Sequence, residues 1–321
     1  MFYKVSVCVP IYNVSAYIER CARSLFEQSC REVEYIFVDD CSPDNSVEIL
    51  QRIISEYTEC APKVRIIRHE QNRGLAVARN TAVREATGEY IIHVDSDDCF
   101  AHNAVIENML LKAEETDADI VEADYVVLTR NGEINCKNIR NYQSKKKLLA
   151  DVICKRTQIT IWTKLIRRKL YMEHDISVPD NLNNGEDYVT LPRLMYYANR
   201  VEHIDDYTYC YNLTNVTSFS SNRRNWDNLR SMVRANRFLL CFFSSVLPLM
   251  NKYVEAMYLE TKAYHLLYSM TKQELCETRR FFSDCRYRYF WGMRWKYQIV
   301  LILNLLRCNR IIFLIGRYFR R

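Results

Sequence analysis

Three carboxylates fall within four positions, at Asp95, Asp97 and Asp98 with Ser96 between them, directly after the apolar run Tyr90-Ile91-Ile92-His93-Val94. That run reads as a buried strand, so the carboxylates sit where it emerges at a sheet edge. Like charges packed together raise one another's pKa and cost stability unless a cation neutralises them. Hard oxygen ligands of this kind suit Mg²⁺ or Mn²⁺, with a substrate's phosphates completing the shell. The plain alternative is an acidic turn in which Asp98 serves as a helix cap. Two other strands that end in similar polar clusters weigh against that alternative.

Those strands are short. Lys4 to Pro10 alternates through Val5, Val7 and Val9 and stops at Pro10-Ile11-Tyr12-Asn13; Glu34 to Val38 stops at Asp39-Asp40-Cys41-Ser42-Pro43-Asp44. Between them, Ser15 to Gln28 carries Ile18, Cys21, Ala22, Leu25 and Phe26 at helical spacing, with Ser15 as N-cap. A second helix from near Asp44 buries Val47, Leu50, Ile53, Ile54 and Tyr57. Strand Val64 to Ile67 comes next, then a helix from about Gly74 to Gly88, the latter suited to a left-handed C-cap. This β-α alternation predicts an α/β fold with a mostly parallel sheet and right-handed crossovers. Ligands of such sheets bind beyond the carboxyl ends of the strands, so the three clusters converge on one site.

The ligand expected there is a nucleotide, held without the usual glycine loops. No G-x-G-x-x-G follows a strand and no G-x-x-x-x-G-K-[ST] occurs, and the chain has only 6 glycines. A metal and an arginine must then do much of the phosphate binding. Arg79, within Asn72-Arg73-Gly74-Leu75-Ala76-Val77-Ala78-Arg79-Asn80, is the candidate, because guanidinium takes phosphate oxygens bidentately. A solvated arginine on a helix face is the alternative.

Taken together, these strings resemble family 2 glycosyltransferases of the GT-A fold. The resemblance lies in Val5 to Asn13, in Ser24-Leu25 with Gln28, and in Tyr35-Ile36-Phe37-Val38-Asp39-Asp40-Cys41-Ser42. It continues through Asn72 to Asn80, Gly88-Glu89-Tyr90 and Asp95-Ser96-Asp97-Asp98. Further on, Trp162-Thr163-Lys164-Leu165, Gly185-Glu186-Asp187, and Tyr209-Cys210-Tyr211 with Ser218 resemble the acceptor-side motifs and the segment after them. The likeness runs from about residue 3 to 220 and leaves the last hundred uncovered.

The resemblance implies residue roles. Asp40, with Asp39, would accept from the N–H of a uracil ring. Pro10 backbone, Tyr12 and Asn13 would line the nucleoside pocket, and Asn72 and Ser96 belong to the same donor-binding set. Asp95 would lie near ribose and metal, Asp97 would be the main metal ligand, and Asp98 a second ligand or a partner of one. Asp187 would be the general base that takes a proton from an acceptor hydroxyl as its oxygen attacks the anomeric carbon. The metal and Arg79 would stabilise charge on departing UDP, and a single in-line displacement inverts the anomeric centre. For Asp187, a carboxylate capping the helix from Tyr188 to Tyr197 is the alternative.

Composition bounds the rest. A chain of 321 residues can bury a full core. The expected division is a GT-A catalytic domain over 1–220, with a nucleotide half to about residue 100, and a helical region over 221–321. A strand begins within five residues of the start, so no signal peptide is expected, and the 13 cysteines without C-x-x-C read as reduced side chains of a cytosolic protein. The 6 histidines have no metal-ligand spacing, and His93, in mid-strand, reads as a core residue. Asn131-Gly132 signals a hairpin between Tyr125–Leu128 and Glu133-Ile134.

Charge is unevenly placed. Residues 286–321 hold nine Lys or Arg and no Asp or Glu; subtracting those nine from the net +6 leaves −3 for the first 285 residues. The tail interleaves its charges with Tyr287, Tyr289, Phe290, Trp291, Trp295 and Tyr297, and with the apolar runs 299–306 and 311–315, both too short to span a bilayer. An interfacial helix on an anionic membrane is the expectation, with a helix packed on the catalytic domain as the alternative. Nucleic acid would also suit a basic aromatic tail, but nothing else in the sequence supports it.

The function expected is thus a metal-dependent inverting transfer from a UDP-sugar to a saccharide or lipid-linked acceptor of a cell-surface polysaccharide, at the cytoplasmic face of the membrane. A sugar nucleotidyltransferase is the runner-up, though the first strand end carries Tyr12-Asn13 where such enzymes have a glycine-rich loop and a lysine. A silent nucleotide-sugar-binding membrane module is the third reading.

Overall fold

The computed structural model describes residues 3–138, 144–180, 182, 184–215 and 226–319. They divide into two compact units: Met1–Leu149 with Thr157–Arg223, and Ala150–Arg156 with Arg224–Arg321. Ser218, part of the sequence resemblance, lies outside the described residues.

The first unit opens with β1 (Val5–Ile11), α1 (Ile18–Phe26), β2 (Val33–Asp39), α2 (Ser46–Glu56), β3 (Val64–Arg68), α3 (Leu75–Glu85) and β4 (Tyr90–His93). Every residue of β1 and β2 is buried, as in parallel strands covered on both faces. These four strands run parallel in the order β3-β2-β1-β4, with Val7 opposite Tyr35 on one side and Ile92 on the other. All three polar clusters therefore leave the sheet at the same edge.

Beyond β4 the chain continues as β5 (Cys99–Phe100), α4 (Val105–Thr116), β6 (Ile120–Thr129), β7 (Gly132–Cys136), α5 (Lys145–Ile153), β8 (Lys164–Arg167), α6 (Lys169–Glu173), α7 (Glu186–Tyr197) and β9 (Val201–Asn212). The sheet here turns mixed: β8 runs antiparallel to β4 and β6, β5 antiparallel to β9, and β6 parallel to β9. The β6–β7 hairpin closes at Asn131-Gly132, with Thr129 opposite Gly132.

Two helix ends differ from expectation. Ser15 is not an N-cap: it lies in a turn that precedes α1, and its amide donates to Asp44 Oδ2 at 2.8 Å. Gly88 is not a left-handed C-cap either, since α3 ends at Glu85 in extended backbone. Gly88 is there for lack of room: a Cβ would stand 2.8 Å from Ser6 N and Oγ and from the Val5 carbonyl carbon. The buried Glu34 anchors that approach, accepting from Ser6 Oγ at 2.6 Å, Thr87 N at 2.6 Å and Gly88 N at 3.2 Å.

The second unit is helical: α8 (Trp226–Val246), α9 (Asn251–Tyr268), α10 (Lys272–Phe281), α11 (Trp295–Leu305) and α12 (Asn309–Phe319). Its core includes Leu229, Leu259, Leu266, Leu275 and Phe282, and also Tyr297, Val300, Leu301 and Ile312 of the basic tail. Arg279 ties its last helices together, donating to Asn304 Oδ1 at 2.7 Å and Asn309 Oδ1 at 2.6 Å. No helix among the described residues is long and apolar enough to cross a membrane.

Candidate active site

The ends of β1 and β2 are laced together by side chains that bond the neighbouring backbone. Asn13, at φ 55°, donates its amide to Ser42 Oγ, and Val14 donates to Ser46 Oγ. Pro10 is buried inside β1, while Tyr12 is 48% exposed at the rim; Asn13 and Asn72 are exposed as well. Asp39 is fully buried: Oδ1 accepts from Ser42 N at 2.8 Å and Oδ2 from the guanidinium of the exposed Arg68 at 2.7 Å. Asp40 is more completely engaged. It accepts from Arg73 N at 2.9 Å, Gly74 N at 2.7 Å and His69 Nδ1 at 2.7 Å. Its carboxylate therefore shapes the turn into α3, at the left-handed Gly74, and does not present an open oxygen to a base as expected.

After β4 the acidic turn separates into distinct environments. Asp98 is fully buried, with Oδ2 accepting from Tyr209 Oη at 2.8 Å and Oδ1 from Asn212 N at 2.7 Å. Burial, with Asp97 and Asp95 beside it, pushes its carboxyl well above the ordinary range. Both oxygens hold β9 in place, so Asp98 is corrected from candidate metal ligand to structural acceptor. Asp95 and Asp97 stay partly exposed around the buried Ser96. Asp97 Oδ2 accepts from Asn215 Nδ2 at 2.8 Å, and burial, with the Asp95 charge second, raises its pKa. No three His, Cys, Asp or Glu side chains among the described residues form a complete metal cage. Two carboxylates whose proximity is unfavourable without a cation still fit a hard divalent ion whose remaining ligands come from substrate phosphates and water.

Arg79 joins the acidic turn to the start of α7. Its guanidinium is nearly buried, with Nη2 donating to Asp95 Oδ1 at 2.6 Å and Nη1 donating to Glu186 Oε1 at 3.0 Å and Asp187 Oδ1 at 2.9 Å. Three carboxylates engage its two Nη atoms, while Nε has no hydrogen-bond partner among the described residues. Glu186 and Asp187 begin α7 behind Gly185 at φ 95°, where the helix dipole favours negative charge. Among the described residues no side chain caps that helix. Burial pushes the Asp187 carboxyl up to about 7; Arg79 opposes the shift, and Glu186 and Asp95 add to it. A carboxylate poised there can hold or release a proton near neutrality.

The floor of the site comes from β8 and β9. Trp162 stacks on Tyr209, ring centroids 4.3 Å apart, and meets Tyr125 edge-on. Lys164 and Glu122 form a fully buried ion pair at 3.3 Å. Tyr209 Oη accepts from Asp95 N at 3.0 Å while donating to Asp98, which fixes the acidic turn from both sides. His93 is the core histidine expected: Nε2 meets Tyr171 Oη at 3.1 Å, and burial pushes its pKa down to about 3. The sequence singled out no role for Glu186, Tyr209 or Asn215. Tyr209 and Asn215 lie more than a hundred residues from the carboxylates they serve; the string Tyr209-Cys210-Tyr211 marked Tyr209 without a role, and no local pattern marks Asn215.

The family profile described as Glycosyl transferase family 2 matches residues 6–174. The uncharacterized glycosyltransferase EpsJ of Bacillus subtilis (strain 168) is 29% identical over 213 residues, which span 64% of this chain and 60% of that one. The poly(ribitol-phosphate) beta-N-acetylglucosaminyltransferase TarS of Staphylococcus aureus (strain Mu50 / ATCC 700699) is 29% identical over 215 residues, 65% of this chain and 35% of that one. The crystal structure of S. aureus TarS 1–349 in complex with UDP-GlcNAc matches at a TM-score of 0.75 and 20% identity, covering 99% of this chain and 91% of that one. A mannosyltransferase from Pyrobaculum calidifontis, PcManGT, in complex with GDP-Man and Mn²⁺, matches at 0.55 and 16% identity, covering 95% and 88%. At those identities the two structures speak to the fold.

Proposed function

The chain belongs to glycosyl transferase family 2, and on that premise we propose that it transfers a sugar, with inversion, from a UDP-sugar to a hydroxyl of a saccharide or lipid-linked acceptor. The observation that carries the proposal is the single guanidinium of Arg79, which bonds both Asp95 in the acidic turn and Asp187 at the start of α7. A group that must release a diphosphate and a group that must accept a proton are thereby held at fixed separation.

Asp187 is the base. Its carboxylate takes the proton of the acceptor hydroxyl, the acceptor oxygen bonds the anomeric carbon, and the bond from that carbon to the diphosphate breaks with its electron pair leaving on UDP. Asp97 and Asp95 would hold Mn²⁺ or Mg²⁺, which when bound neutralises charge on the diphosphate oxygens. Arg79 is a positioning residue. It keeps Asp187 and Asp95 oriented and, as a permanent cation, limits the rise of the Asp187 pKa. Asp39 is favoured over Asp40 for the base of the nucleotide, because its Oδ2 partner Arg68 has a side chain 66% exposed that can yield to a base N–H. Inversion is supported by TarS, whose name joins a beta product to a donor, UDP-GlcNAc, that carries the sugar in the alpha configuration.

The test is turnover on a panel of UDP-, GDP- and TDP-sugars with Mn²⁺ or Mg²⁺ and after EDTA. Metal-dependent release of UDP with a glycosylated acceptor supports the reading. Release of pyrophosphate from a nucleoside triphosphate and a sugar 1-phosphate, supplied in a parallel assay, would make the protein a nucleotidyltransferase, and binding without any release in either assay would make it a silent module.

A further inference from the structure

The basic tail has two apolar faces, and only one is used by the fold. On α11, Tyr297, Val300, Leu301 and Asn304 turn into the core of the second unit. On the opposite side Trp295, Ile299, Ile302 and Leu306 recur at i, i+4, i+7 and i+11, with Trp295 73% and Leu306 67% exposed. α12 repeats the arrangement: Ile312 is buried, while Ile311, Leu314 and Tyr318 stand at 45%, 65% and 77% exposure. Trp291, in the short turn before α11, is 83% exposed. A soluble helix normally gives such positions to charged residues, and one that is apolar all round is buried or faces lipid.

Positive charge accompanies these rows. Arg307, Arg310 and Arg317 are exposed, and no acidic residue occurs in 286–321 to neutralise them. By helical phase Arg310 and Arg317 flank the α12 row at i and i+7. We propose that this face is a docking surface for an anionic lipid bilayer, on which α11 and α12 lie in the interface with their outer apolar rows among the acyl chains and their arginines at the headgroups. Tryptophan and tyrosine suit that depth, since each has an apolar body and a polar tip. The proposal deepens the lipid-linked acceptor reading above by naming the surface that meets the membrane. It relies on that reading only for the purpose of docking.

The test is co-sedimentation of the full chain with vesicles of phosphatidylcholine alone and of phosphatidylcholine mixed with phosphatidylglycerol. Wild type is expected to pellet with the mixed vesicles, less so as salt rises. Trp295→Ser with Leu306→Ser should lower that partitioning by about 10-fold or more, as losing two insertable side chains requires. Leu314→Ser on α12 should lower it independently. Arg310→Gln with Arg317→Gln should weaken the preference for phosphatidylglycerol. All these positions are exposed, and circular dichroism should be unchanged. Apolar variants that pellet like wild type would overturn the proposal. So would a wild-type dimer that these variants convert to monomer while vesicle binding persists, because the face would then join two copies. UDP release on a soluble acceptor separates this from the transferase reading: its absence in every protein, with vesicle binding in the pattern above, sinks only the latter.

Discussion

Asp95, Asp97 and Asp98 look equivalent in sequence, yet each is set by a different partner: Arg79, Asn215 and the Tyr209–Asn212 pair. A cluster of acids at a strand end was legible because it comes after an apolar run. Which acids face the ligand was not, because β9 and Asn215 decide it from far along the chain. Asp97→Asn is therefore expected to abolish metal-dependent turnover with little change in Tm. Asp98→Ala should lower stability by about 1–3 kcal/mol, because it leaves the Asn212 amide and the Tyr209 hydroxyl without their acceptor; urea unfolding measures the difference. Asp187→Asn should bind UDP-sugar nearly as wild type does and turn over at least ~10²-fold more slowly, the usual share of a positioned base. Near-normal kcat in that variant would move the base to Glu186. The raised Asp187 pKa also sets a sign. The base works only when ionised, so kcat/KM should climb with pH through about 7, and a pH profile of Asp187→Asn should lack that limb.

At the scale of elements, β1 to β4 were readable because buried parallel strands are nearly continuous in apolar residues. The Asn131-Gly132 hairpin was readable from its turn chemistry. The mixed half of the sheet was not, since β8 has four residues, β5 only two, and long-range pairing places both. The two misplaced helix ends share one cause: Ser15 and Gly88 were judged by local capping rules, whereas contacts with residues distant in sequence, the Asp44 carboxylate and the β1 backbone, decide them. Gly88 carries the sharper consequence. Gly88→Ala brings a methyl group to 2.8 Å from β1 backbone, and backbone cannot rotate away as a side chain can. The expected cost is roughly 1–3 kcal/mol, in line with overpacked cores, and a chemical denaturation curve checks it.

On the scale of the whole molecule, one apolar face of α11 packs into the core of the second unit and the other is exposed. Because Tyr297, Val300, Leu301 and Ile312 belong to the core of the second unit, removing residues 286–321 does more than delete a membrane contact. The truncated chain should lose more helical circular dichroism than the missing residues account for, as Leu259, Leu266 and Phe282 lose their cover. A truncation that keeps the rest of its helical signal would show that the tail is not part of that core.

The second unit also recruits Ala150–Arg156, a short piece made long before the rest of it. A ribosome delivers this piece some seventy residues ahead of α8. Until the helices of the second unit emerge, Val152 and Ile153, both fully buried in the finished protein, have only part of their eventual surroundings. At elongation rates of about 5–20 residues per second that interval lasts several seconds or more, long enough for a chaperone to find the half-built chain. The burial of this early segment thus waits on chain that is made much later.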